Sequence, residues 1–113
     1  MTSPIDPTTL EQFTGGDKDI ARDIYAQFLT ATESDAHALR AAVTAGNAGD
    51  IGKAAHRVKG ASRMIGAAAV ADLAEKIEMA GRREDLSEIN ATMPAFDIEH
   101  QRLLDFLRRE TAR

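Results

Sequence analysis

Breaks built around glycine divide this chain into segments too long for strands and well suited to helices. They are Gly15-Gly16, the run GNAGD from Gly46 to Asp50, Gly66, and GRRED from Gly81 to Asp85. Glycine reaches the left-handed backbone that closes a helix, and between the breaks apolar residues recur at helical spacing. Alanine, leucine and isoleucine supply most apolar positions, and the β-forming Val, Tyr, Phe and Thr are thinly spread. An all-helical chain follows.

The start, MTSPIDPTTLEQFTGGD, reads as a leader over residues 1–5 followed by a short helix. Asp6 is its expected N-cap and Pro7 its first helical residue, with Gly15-Gly16 as the stop. A long helix starts near Asp17 or Lys18, with Ile20, Ile24, Phe28, Ala31, Leu39 and Val43 on its apolar side. GNAGD turns the chain, and Asp50 is the expected cap of a third helix that ends around Ile65. The fourth, AAAVADLAEKIEMAGR, has Val70, Leu73, Ala74 and Ile77 on its apolar face. The last runs from about Leu86 to Glu110 with Ile89, Met93, Phe96, Leu103, Leu104 and Leu107 inward. Pro94 should either kink this helix or mark its true start. The expected fold is an antiparallel up-and-down four-helix bundle with a short extra N-terminal helix, one domain over residues 1–113 with a helical core at about 6–110.

Composition narrows what such a bundle can do. Hydrophobic residues make up 43% and charged residues 28%, which argues against disorder. With no cysteine, a disulfide framework and a thiolate metal site are excluded. No apolar run approaches the ~20 residues of a membrane span, and the opening residues do not run from charged to apolar as a leader would. The expected location is cytoplasmic, or tethered to the inner membrane through a parent protein. A net charge of −4 gives no general reason to bind nucleic acid or an anionic membrane.

The third helix departs from this ordinary pattern. Its buried stripe comprises Ile51, Ala54, Ala55, Val58, Ala61, Ser62 and Ile65. At about 100° per residue, His56 lies roughly 170° from the middle of that stripe, pointing to water. Gly52 and Gly60 sit one turn below and above it on the same face, and neither can cover the ring. Each weakens the helix by about 1 kcal/mol relative to alanine, so helix stability has been given up for clearance. Lys53, Lys59 and Arg63 give the ring a basic rim. An exposed imidazole is a competent nucleophile toward a phosphoryl group, and the charges that phosphorylation adds favour nearby Lys or Arg. Lys59, one turn away, is best placed for that neutralisation. Met64, roughly 80° from His56, is expected to be partly exposed, either as a partner contact or as a half-buried core residue. Lys53 and Arg63 are expected to steer an acidic partner, with plain solubility as the alternative.

The run from His56 through Arg57-Val58-Lys59-Gly60-Ala61-Ser62-Arg63-Met64-Ile65 to Gly66-Ala67 closely resembles the signature of histidine-containing phosphotransfer (HPt) domains. Leu73-Ala74 and the stretch Ile77 to Arg82 are similar to that family's next helix, and the resemblance extends from Ile5 to about Arg109. It implies a monomeric helical bundle whose histidine Nε2 accepts a phosphoryl group from a receiver aspartate and passes it to another receiver. By that match His56 is the phosphoacceptor, Lys59 the phosphoryl-stabilising cation and Gly60 the clearance residue. Ser62 and Gly66 would be small packing or termination positions. Ala74 stands where relatives often carry cysteine, a difference in packing. No residue stands out as the partner of His56 Nδ1, so the tautomer is left undetermined.

The chain lacks a glycine-rich nucleotide loop and an acid cluster for Mg²⁺. It is expected to bind no cofactor and to have no kinase activity of its own, the receiver supplying metal and aspartate. Expected partners are response-regulator receiver domains, in cis with a hybrid sensor kinase if this is an excised module, as the leader SPIDP suggests. The alternative is an interaction module that binds receivers without carrying phosphate. A metal site would need His37, His56 and His100, which lie on three helices without ligand spacing; His37 and His100 read as ordinary surface residues. A nucleic-acid binder would need a broad basic surface and stacking aromatics, which this chain lacks.

Overall fold

A computed structural model describes residues 3–112. Met1 and Thr2, the first residues of the expected leader, lie outside the described residues. The elements are α1 (Thr8–Thr14), α2 (Lys18–Ala45), α3 (Ala48–Met64), α4 (Ala68–Arg82) and α5 (Leu86–Thr111), with no strand among the described residues. Helix α2, at 28 residues, would span about 42 Å at 1.5 Å per residue, close to the 43 Å long axis of the molecule.

Helices α2 to α5 pack in a ring in which each touches the one before and the one after, and α5 closes back on α2. Cross-helix pairs fix the directions. Arg40 meets Asp97 at 2.9 Å while Glu33 meets Arg108 at 3.5 Å, so α2 and α5 are antiparallel. Gly81 lies against Ala48, and Arg63 pairs with Glu75, so α3 and α4 are antiparallel too. The expected up-and-down bundle is the observed one.

Side chains start each long helix except α4. Asp17 accepts hydrogen bonds from the amides of Asp19 and Ile20, and Asp85 from that of Glu88. For α3 the cap is Asn47, which accepts from the amide of Asp50 at 3.0 Å. Asp50 was the expected cap; it sits instead in the first turn, where its charge favours the helix N-terminus. At α1 Pro7 is already helical (φ −65, ψ −22), and the Asp6 carboxylate accepts from the Thr8 amide.

Helix α1 is seated across the α3–α4 turn. The Asp6 amide donates to the Gly66 carbonyl at 2.9 Å, and Ile5, last residue of the expected leader, is buried. Gly66 has φ +75, and a Cβ there would lie 2.5 Å from the Thr9 hydroxyl. Only glycine satisfies both the turn and the close approach.

The apolar face expected for α5 is buried in full, and that of α3 is buried apart from a half-exposed Ala61. On α4, Val70, Ala74 and Ile77 are buried and Leu73 is half-buried. On α2 the inward register is Tyr25, Phe28, Thr32, Ala36, Leu39 and Ala42. Of the residues expected there, Ile20 and Ala31 are exposed. Ile20 lies in the first turn, and Ala31 beside the inward Thr32, so position in the packed register outweighs side-chain hydrophobicity. Helix α5 begins at Leu86, so Pro94 lies inside it, on an exposed position, and does not mark its start. Gly81 belongs to α4, and the turn that follows is Arg83 to Asp85.

His100, read from sequence as a surface residue, is fully buried between α5 and α2. Its Nε2 is 3.0 Å from the Thr32 hydroxyl, and its ring stacks on Phe96 at 5.4 Å. Burial, with Arg40 nearby, pushes this imidazole down to about 4, so it is neutral at pH 7. A polar partner on the facing helix converts what looked like a surface side chain into core.

Candidate functional site

The crossing of α3 and α4 is unusually close at one end. A Cβ on Gly81 would lie 3.1 Å from the Ala48 carbonyl and 3.2 Å from the Gly52 nitrogen. Glycine at 81 thus permits the two backbones to touch. One turn before it on α4, the contact sets Glu78 beneath His56.

His56 itself stands on the outer side of α3 with 64% of its side chain exposed. Its Nδ1 lies 2.9 Å from Glu78 Oε2, while Glu78 is 2% exposed. Two cations reach the same carboxylate. Lys59 Nζ is 2.6 Å from Oε1, and Arg82 Nη2 donates to Oε2 at 2.7 Å. Burial by itself would raise the pKa of Glu78, but hydrogen bonding and charge from Lys59 and His56 outweigh it. They hold the carboxyl below the usual carboxylate range, so it is ionised at pH 7. An ionised carboxylate only accepts, so the proton of the neutral ring sits on Nδ1 and Nε2 carries the lone pair.

The ring borders an open cleft of about 490 Å³ that continues along α3 and α4 past Gly49, Gly52, Lys53, Arg57 and Gly81 to Arg82. A Cβ at Gly60 or Gly52 would meet nothing within 4 Å, so both lie beside open space. Lys53 is exposed on the cleft wall, and Arg57 is paired with Asp35 of α2 at 3.4 Å. Arg63 is half-exposed and pairs with Glu75 at 3.2 Å. Met64, at the end of α3, is 68% exposed, so it is not a half-buried core residue.

Lys59 differs from its expected setting. It is 15% exposed and engaged with Glu78, so it is a held cation beside the ring. Glu78 and Arg82 were not singled out from sequence. Their signal was nevertheless present: Ala71, Ala74, Glu78 and Gly81 are spaced as one inward face, and Glu78 is the ionisable residue on it. An acid at a core position requires a buried cation or donor, and α3 offers His56 and Lys59. Among the described residues, no group of three or more His, Cys, Asp or Glu is arranged to hold a metal ion.

The family model described as Hpt domain matches residues 23–109. This chain belongs to the Hpt domain family. The Hpt match begins within α2 and runs through α5, so it contains His56, Lys59, Glu78 and Arg82. The fold of this Hpt domain is also that of histidine-containing phosphotransfer protein B (HptB) from Pseudomonas aeruginosa. The two superpose with a TM-score of 0.88 at 23% identity, over 99% of this chain and 97% of the other. That likeness takes in α1, which precedes the matched family region. No curated protein sequence matches this chain.

Proposed function

We propose that this Hpt domain is a phosphoryl carrier in a phosphorelay. Nε2 of His56 takes a phosphoryl group from the aspartate of one response-regulator receiver and gives it to that of another. The observation that carries the reading is the exposed ring whose Nδ1 is bound by a buried carboxylate, leaving the nucleophilic nitrogen toward solvent. Membership of the Hpt family supports it independently.

Phosphoryl transfer is governed by positioning and charge. Helix α3 supplies the position, and Lys59 and Arg82 stand within the same polar cluster to offset charge on the arriving group. The receiver provides the acyl phosphate and its Mg²⁺, and this chain acts without a cofactor or kinase activity of its own. Gly60 and Gly52 leave the approach clear, Lys53 and Arg63 steer an acidic partner surface, and Met64 offers an apolar contact. No helix among the described residues is long and apolar enough to cross a membrane.

The test is transfer of labelled phosphate from phosphorylated receivers to the native chain and to His56→Gln. The native chain is expected to gain acid-labile, base-stable label that the variant does not. Label arriving equally on the variant would overturn the assignment, while receiver binding without label would favour the interaction-module alternative.

A further inference from the structure

Glu78 is asked to serve three donors at once, and phosphorylation of His56 changes the terms for all of them. In the structure its Oε2 binds His56 Nδ1 and Arg82, and its Oε1 pairs with Lys59. A phosphoryl group on Nε2 would bring a second, stronger demand for the same Lys59 and Arg82. Resting on the carrier reading, we propose that Glu78 is a positioning residue that keeps the phosphohistidine short-lived and ready to discharge. It does so by retaining the proton on Nδ1 and by competing for Lys59 and Arg82, which limits how tightly they hold the phosphoryl group.

The bond changes explain why the proton matters. In acceptance, the Nε2 lone pair forms the N–P bond as the P–O bond to the donor aspartate breaks. The electron pair departs on the aspartate carboxylate, and the Nδ1 proton stays in place, leaving a positively charged ring. In discharge, an oxygen of the acceptor aspartate, or of water in hydrolysis, forms a P–O bond as the N–P bond breaks with its pair returning to Nε2. If Nδ1 has kept its proton the ring leaves as neutral imidazole; if not, it must leave as the far poorer imidazolate. A buried, ionised carboxylate 2.9 Å from Nδ1 favours the first course.

The charged groups facing the ring are consistent with this division of labour. From α4 come Glu78 and Arg82; from α3 itself come Lys53, Arg57 and Lys59, with Arg57 tied to Asp35 of α2. Among the described residues Glu78 is the acid in contact with the ring, so the Nδ1 proton depends on this carboxylate. Removing its charge while keeping its shape should release Lys59 and Arg82 to the phosphoryl group and weaken the hold on the proton. Both changes lengthen the life of the N–P bond.

The experiment loads His56 of native protein and of Glu78→Gln with phosphoramidate, whose P–N bond breaks to release ammonia, and follows loss of label. The Glu78→Gln phosphohistidine is expected to survive about tenfold longer at pH 7, with slower loading. Its hydrolysis rate should fall as pH rises from about 6 to 8, while the native rate stays nearly flat. A glutamine variant that folds, loads and loses label with the native half-life and pH profile would overturn the inference and leave the carrier reading standing. Failure of the native protein to take label on His56 from either phosphoramidate or a receiver would instead sink the carrier reading. A second readout needs no variant: nitrogen NMR of the native ring should show the proton on Nδ1 before and after phosphorylation at pH 7. A bare Nδ1 in the phosphorylated protein would overturn the proposal.

Discussion

Two histidines of this bundle lie in opposite settings, one at the α3–α4 crossing and one between α2 and α5. His56 is exposed and bound through Nδ1 to an ionised, buried acid, which directs its second nitrogen outward. His100 is buried, bound through Nε2 to a neutral hydroxyl, and stacked on Phe96, with no hydrogen-bond partner at Nδ1 among the described residues. The same side chain is exposed and bound to charge in one region and neutral packing in the other. The difference lies in the partner on the facing helix. A carboxylate beneath an exposed ring polarises it for chemistry, whereas a hydroxyl beside a buried ring satisfies it as a neutral polar group.

The largest expected effect comes from replacing the exposed member, the proposed phosphoacceptor. His56→Gln should reduce phosphate acceptance by at least about 100-fold, because the nucleophile is gone, while stability changes by no more than about 1 kcal/mol. Labelling and thermal melting on the same preparation check both halves. A variant that melts far below the native chain would show that His56 also carries the fold, and the contrast with His100 would break.

Acid sharpens the contrast in the other direction. The folded chain holds His100 down to about 4 from an ordinary 6.5, so between those values the unfolded chain binds a proton that the folded one refuses. Stability from this group is therefore complete above pH 6.5 and is lost as pH falls toward 4, by about 3 kcal/mol in all. Glu78 is shifted down from 4.5, so its contribution is complete above that value and declines only below it. The α2–α5 region should thus weaken first on acidification. Denaturant melts at stepped pH would show stability falling below pH 6.5 in the native chain, and His100→Leu should flatten that fall. The variant should also lose about 1–2 kcal/mol at pH 7, because the buried Thr32 hydroxyl loses its partner.

The two regions were unequally legible in the sequence. Glycine breaks and the apolar faces of α3, α4 and α5 specified the bundle, since three-and-four periodicity reports burial directly. His56 was legible for the same reason: it lies opposite a well-formed apolar stripe. His100 and Glu78 were not, because each is a polar residue at an inward register position. Periodicity marks such a residue as anomalous, and only the facing helix tells which partner satisfies it. Thr32, distant in sequence from His100, carried no cue of its own; Glu78, aligned with Ala71 and Ala74, did. The α2 face misled because Ile20 is apolar but lies in the helix's first turn, with nearly half its surface exposed.

A smaller effect tests how the region around His56 is built. The α2–α5 contact is filled by side chains, whereas α3 and α4 approach through the missing side chain of Gly81. Gly81→Ala sets a methyl group 3.1 Å from the Ala48 carbonyl, so the helices must part by a few tenths of an ångström. A loss of about 1–2 kcal/mol is expected, despite alanine's better helix propensity. Phosphate acceptance should fall with it, since Glu78 sits one turn away. If Gly81→Ala proves more stable than the native chain, close approach is not what positions Glu78.

The smallest effect has the opposite sign, and that makes it informative. A Cβ at Gly60 meets nothing within 4 Å, and the residue lies inside α3 without a left-handed backbone. Gly60→Ala should therefore stabilise the fold by up to about 1 kcal/mol through helix propensity alone. Should clearance for a docking partner be the reason for glycine here, the more stable variant will take phosphate more slowly from a receiver. Its loading by phosphoramidate, a donor small enough to ignore one methyl group, should change much less. Equal slowing with both donors would mean that the methyl disturbs the ring itself. No slowing with either would leave Gly60 without a role in access, and the open face around His56 would then rest on Gly52 and the cleft alone.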